Sequence, residues 1–198
     1  PVWVFYRRGL QVDRLSSLKG LRVGLGPRGS GMNTLGVQLF NANGLDSDNT
    51  HFEAWSPEEA AKRLFDKQLD AVLLVGAPES SLIHRVMMAP GINLLSFKQA
   101  DAYSRVFSYL TRVVLPAGGF DLGQNIPMHP VELVAPTAIL VVRDTIHPAL
   151  ITLLMQAAAL DFAWGSHTIT INMLYQTSHA ILVFVVALAL YFGIRKWR

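Results

Sequence analysis

Leu21-Arg22-Val23-Gly24-Leu25-Gly26-Pro27-Arg28-Gly29-Ser30-Gly31-Met32-Asn33-Thr34 is the stretch that decides the fold. Leu21 to Leu25 reads as a buried strand. The segment 34–43 reads as a helix closed by Asn43-Gly44, where either residue suits a left-handed cap. A strand feeding a glycine-rich turn into a helix start gathers unpaired backbone N–H groups at one point. The helix dipole adds partial positive charge there. Glycines let a ligand approach the backbone, and the hydroxyls of Ser30 and Thr34 add donors. The turn therefore suits an anion. A plain tight turn is the other reading. The run lacks Gly-Lys-Ser/Thr, so it is not a nucleotide phosphate loop, and its spacing is not the dinucleotide fingerprint.

Outward from this stretch, strand and helix signals alternate. Val2-Trp3-Val4-Phe5-Tyr6 reads as a buried strand, and Leu15-Ser16-Ser17-Leu18-Lys19 as a helical turn ending at Gly20. A short strand covers 51–55. Ser56-Pro57-Glu58-Glu59 starts a helix running to Lys67, with a capping serine, proline in the first turn and glutamate three residues on. Ala60, Leu64 and Phe65 form its expected buried face. Asp70 to Gly76 is a continuous apolar strand, and a second small-residue turn, Gly76-Ala77-Pro78-Glu79-Ser80, leads into a helix reaching Met88. Further strands are expected at 92–97, 110–115 and 137–142, with helices at 99–107 and 148–162 and a long loop over 116–130. The class is α/β with a mainly parallel sheet. In open parallel sheets ligands bind beyond the carboxyl ends of the strands, so the two turns suggest one pocket, with Gly29, Ser30, Gly31, Thr34, Gly76 and Ala77 as its residues.

Composition narrows the function. Half of the 198 residues, 51%, are apolar and 16% are charged. Ala180 to Ile194 carries no charge and is followed by Arg195-Lys196-Trp197-Arg198. Ten of those apolar residues are Ile, Leu, Val or Phe, so membrane insertion is favoured by roughly 3–6 kcal/mol before other terms. Fifteen helical residues span only about 22 Å, and extension back through Thr177 brings the helix nearer to the bilayer core. The expectation is a membrane helix over 177–198 with its basic end in the cytoplasm, a linker over 161–176, and an α/β lobe over 1–160 on the other side. A buried core helix is the alternative. The net charge of +3 resides mainly in the terminal cluster, so nucleic acid is not an expected partner. Cysteine is absent, which excludes disulfides and thiol catalysis. The six histidines are dispersed and no Gly-x-Ser-x-Gly elbow occurs, so no metal, cofactor or catalytic residue is expected. Trp3, Tyr6 and Trp55 suit either the core or a pocket wall. Glu132 and Asp144 read as solvated or capping groups.

These segments in this order resemble the second lobe of a TAXI-type solute receptor, the extracytoplasmic component of tripartite ATP-independent periplasmic (TRAP) transporters. The residues that carry the resemblance are Val2 to Arg7, Leu15 to Gly20, Arg22 to Gly31, the acidic helix start at Ser56, the strand Asp70 to Gly76, and the return through Thr137 to Val142. It spans about residues 1–158. The resemblance implies a type II periplasmic-binding-protein fold, in which two α/β lobes joined by crossover strands close on a small, usually anionic, organic solute. Val2 to Tyr6 and Val134 to Val142 would contain the crossovers, and Gly29, Ser30, Gly31 and Thr34 would meet the solute. The first lobe is then expected upstream of Pro1. The implied partners are a small carboxylate, a TRAP-type permease and the inner membrane, with the globular part in the periplasm. A membrane-tethered ligand sensor and an enzyme on this fold, such as a phosphoribosyl-type transferase, are the rival readings. The first would need a signalling domain and the second an acidic or metal-binding group beside the glycine-rich turn.

Overall fold

The computed structural model of the chain describes residues 1–137, 146–147 and 149–153. Two compact units divide at Pro136, Pro1–Pro136 and Thr137–Arg198. All named strands and helices lie in the first: β1 (Val2–Arg7), β2 (Arg22–Gly24), α1 (Gly31–Ala42), β3 (His51–Glu53), α2 (Pro57–Phe65), β4 (Ala71–Val75), α3 (Ser81–Met87), β5 (Ile92–Leu94), α4 (Ala100–Val106), β6 (Leu110–Leu115) and β7 (Val131–Pro136). The expected membrane helix over 177–198 and linker over 161–176 fall outside the described residues, as does Asp144. Among the described residues no helix is long and apolar enough to cross a membrane.

The seven strands form one sheet in the order β3-β2-β4-β1-β7-β6, with β5 also on β1. It is mixed and not mainly parallel, which corrects the expectation from strand–helix alternation. β2 pairs in parallel with β3 and β4, whereas β1 runs antiparallel to β4, β5 and β7, and β6 antiparallel to β7. Single-helix crossovers fix the mutual direction of β2, β3 and β4. The first strand obeys no such link. It inserts in the opposite direction between β4 and β5, leaving the crossover through α3 to span it. The connection from β6 to β7 contains no helix, so those strands fold back as an antiparallel pair.

Apolar runs explain the centre of the sheet. Val2, Trp3, Val4 and Phe5 are fully buried, as are Leu73 and Val72 opposite Val4 and Phe5 and, nearly so, Leu74 opposite Trp3. A strand covered on both faces needs no polar alternation. Helix α1 buries Leu35, Leu39 and Phe40, each contributing roughly 1.5–3 kcal/mol of transfer free energy. Helix α2 buries Ala60, Ala61 and Leu64. Phe65, expected on that face, is 38% exposed. It lies about 100° around the helix from Leu64 and turns away from the sheet. One further strand was not expected. β7 runs over Val131–Pro136, just before the expected strand at 137–142, and buries Leu133 and Val134. Residues 138–142 lie outside the described set.

One polar cluster locks the amino ends of β2 and β4. Asp70 is 6% exposed and accepts hydrogen bonds from the Arg22 backbone N–H (2.9 Å), from Arg22 Nε (3.0 Å) and Nη2 (3.0 Å), and from Arg7. Burial alone would raise its pKa. The donors from Arg22 and Arg7 outweigh burial and hold the carboxyl well below the usual aspartate range.

Candidate functional site

Parallel pairing decides where the turns lie. β3, β2 and β4 are adjacent and point the same way, about 4.8 Å apart, so the turns after all three emerge at one edge of the sheet. The Asp70 cluster occupies the opposite edge. The glycine-rich turn, Ala54-Trp55-Ser56 and the second small-residue turn therefore form one row of strand-to-helix connections.

The glycine-rich turn is held by its own side chains. Ser30 is extended (φ −77°, ψ 152°), and its Oγ accepts the backbone N–H of Asn33 at 3.1 Å. This cap starts α1 at Gly31, three residues before the expected start at Thr34. Gly26 (φ +73°) and Gly29 (φ +79°) occupy the left-handed region that glycine adopts without strain. Gly31 does not; its φ is ordinary, and a Cβ built there would meet nothing within 4 Å. Its value is open space above the backbone.

The turn's hydrogen bonding is asymmetric. Asn33 Nδ2 donates to the carbonyls of Leu25 (3.3 Å) and Gly26 (3.2 Å). The Pro27 carbonyl accepts Ser30 N–H at 3.1 Å, and the Ser30 carbonyl accepts Thr34 N–H at 3.0 Å. Four carbonyls and the Ser30 oxygen are thus engaged internally. The N–H groups of Gly31 and Met32 are the first two of α1 and have no acceptor within the helix. Because Ser30 Oγ accepts from Asn33, its hydroxyl hydrogen is available to donate elsewhere. The carbonyls of Leu25, Gly26, Pro27 and Ser30 are thus turned to internal donors, and the first N–H groups of α1 are left for a ligand.

The site residues differ in what they offer. Gly29, Gly31, Thr34 and Ala77 are exposed, and Ser30 and Gly76 are half-buried. Thr34 can contribute its hydroxyl but not its N–H. Gly76 offers neither backbone group, since its N–H donates to the Pro1 carbonyl (3.2 Å) and its carbonyl accepts Trp3 Nε1 (2.9 Å). Ser80 precedes α3 without a side-chain cap bond. The residues sequence reasoning missed are Asn33 and, at the end of β3, the Glu53 and Arg63 partners of Trp55. There Trp55 Nε1 donates to Glu53 Oε2 (2.6 Å), and the Arg63 guanidinium lies 3.6 Å from the Trp55 ring centroid. Trp3 is a fully buried core residue, and Glu132 pairs with Arg112 at 2.7 Å.

A depression of about 570 Å³ lies elsewhere, beside the outer edge of β3 among Arg22, Ser47, Thr50, His51, Phe52 and Glu53. Among the described residues no three His, Asp or Glu side chains are grouped to hold a metal ion.

Residues 2–188 match the sequence profile of the NMT1-like family, and the chain belongs to that family. Among solved structures, it is similar to the alkanesulfonate-binding protein SsuA from Xanthomonas axonopodis pv. citri bound to MOPS, at 19% identity and a TM-score of 0.40, over 48% of this chain and 31% of that one. It is also similar to the periplasmic aliphatic sulphonate binding protein SsuA from Escherichia coli, at 14% identity and a TM-score of 0.40, over 83% of this chain and 64% of that one. An ancestral arginine-binding protein bound to glutamine aligns at 18% identity and a TM-score of 0.36, over 48% and 39%. The chain thus spans between 31% and 64% of the length of these structures. The assignment rests on the family match.

Proposed function

We propose that this member of the NMT1-like family is a solute-binding lobe of an extracytoplasmic receptor that captures a small anionic organic solute, such as a carboxylate, and delivers it to a TRAP-type membrane permease. The observation that carries the reading is the asymmetry of the glycine-rich turn. The carbonyls of Leu25, Gly26, Pro27 and Ser30 are engaged by Asn33, Ser30 and Thr34, and the donors of Gly31, Met32 and Ser30 remain at the helix start. An anion accepts from donors gathered at a helix start, where the dipole also disfavours a cation. Gly29 and Thr34 border the contact, and Gly76 and Ala77 form its neighbouring wall. Binding uses oriented dipoles and needs no covalent step or cofactor. A second lobe closing over this edge would remove water from the solute and strengthen each hydrogen bond. The C-terminal segment would hold the lobe at the outer face of the inner membrane.

Calorimetry on the full chain with succinate and with 1,4-diaminobutane tests the reading. Saturable heat with the diacid alone, lost in Gly31→Val, is expected. Equal binding of the diamine, or undiminished succinate binding by Gly31→Val, would refute it.

A further inference from the structure

We infer that Trp3 is the positioning residue of the second turn, and that Phe120 on the loop over 116–130 fixes the Trp3 ring; the inference rests on the reading of Gly76 and Ala77 as one wall of the solute surface. Trp3 is fully buried, so its indole N–H requires a protein acceptor. That acceptor is the Gly76 carbonyl at 2.9 Å. The β1–β4 ladder ends at the pair Val2–Val75, one residue before Gly76. Beyond that pair the first residues of the chain still hold both polar groups of Gly76, one through the Pro1 carbonyl and one through the Trp3 ring.

The ring is itself confined. It stacks on Phe5 with centroids 6.2 Å apart and planes at 5°. Phe120 meets it edge-on at 5.6 Å and 89°, and also lies 6.1 Å from the His84 ring on α3. Phe120 is placed there by an ordered loop. Its N–H donates to the Ile126 carbonyl at 2.8 Å, and Gly118 N–H donates to the Pro127 carbonyl at 2.9 Å. A Trp3 ring that swung aside would release the Gly76 carbonyl, and Phe120 stands against that movement. A loop remote in sequence thereby sets the shape of the second turn.

Amide hydrogen exchange on the full chain tests this, because Gly76 and Ser80 N–H groups are both hydrogen-bonded and report opening of the turn. Trp3→Phe keeps an aromatic ring and removes the donor. It should speed exchange at Gly76 and Ser80 by about five- to a hundredfold, as expected when a buried carbonyl loses its partner, and leave Val4 and Leu73 unchanged. Phe120→Leu should act in the same direction and add nothing in the Trp3→Phe background. Succinate affinity should fall in both variants. Uniform acceleration along the β1–β4 ladder, or none at Gly76 and Ser80, would overturn the inference, since packing alone would then account for Trp3. So would local acceleration with unchanged succinate affinity, while Ser30 variants still weaken binding. Failure of succinate to bind the wild-type chain would instead overturn the functional reading, and the inference with it.

Discussion

Ser30 does two jobs on this account, and substitutions separate them. Its Oγ caps α1 by accepting Asn33 N–H, and its hydroxyl hydrogen faces the solute. Ser30→Ala removes both, costing roughly 0.5–2 kcal/mol of stability as a lost cap, with a further loss of binding. Ser30→Gly costs only a few tenths of a kcal/mol as a cap, and still deletes the hydroxyl donor. Ser30→Asp is the decisive variant. Aspartate caps about as well as serine, and a carboxylate at a helix start gains about 0.3–1 kcal/mol from the dipole. The fold should therefore be as stable or slightly more so. Toward an anion about 4 Å away, the new charge costs roughly 1–4 kcal/mol, between the values for water and for a partly shielded surface. Thermal unfolding and calorimetry with succinate measure the two effects. The expected result is a melting temperature unchanged or raised, with succinate binding weakened by several-fold or more, and weakened less at high salt. Succinate affinity that tracks melting temperature across Ala, Gly and Asp would refute the reasoning, because the cap alone would then explain every variant.

Other consequences follow from the same geometry. Asp70→Asn should destabilise the lobe by roughly 2–3 kcal/mol, less than the 3–5 of a fully buried pair because the Arg7 and Arg22 side chains are 29% and 41% exposed, while succinate affinity is unchanged. Because the folded pKa of Asp70 is depressed, its contribution is complete above the ordinary aspartate pKa and is lost as pH falls through the lowered folded value; acid titration of urea midpoints should show this slope in wild type and not in Asp70→Asn. Gly26→Ala should destabilise by about 1–2 kcal/mol from its positive φ, with the flexible end of Met32 moving aside from the new Cβ, which chemical denaturation would measure. Leu64→Ala should cost roughly 2–5 kcal/mol by the same assay, since Leu64 is fully buried under α2.

What the sequence made legible was local. The capping pattern at Ser56 appears as drawn, with Ser56 Oγ accepting Glu59 N–H at 3.2 Å and Pro57 opening the helix. The bounds of β6 agree with its apolar, β-branched run. The left-handed residue after α1 is Gly44 (φ +72°), not Asn43 (φ −101°). The direction of β1 was not legible, because its partners lie from 65 residues away (Tyr6 to Ala71) to 132 (Val2 to Val134) and nothing in Val2 to Arg7 encodes the neighbour chosen. Strand–helix alternation therefore overstated the parallel content. The bonds of Asn33 and Trp3 were hidden for a related reason. Each depends on a side chain meeting a carbonyl elsewhere in the chain, and residue type gives the donor but not its target.

The central claim is that the donors at the start of α1 receive an anionic solute. Backbone amide shift mapping of the full chain, titrated with succinate and separately with 1,4-diaminobutane, tests it most directly. The account predicts saturable succinate-dependent shifts concentrated at Ser30, Gly31, Met32 and Ala77, absent with the diamine and displaced from the depression at His51 to Glu53. Shifts centred on that depression, or equal responses to acid and amine at Gly31 and Met32, would contradict it.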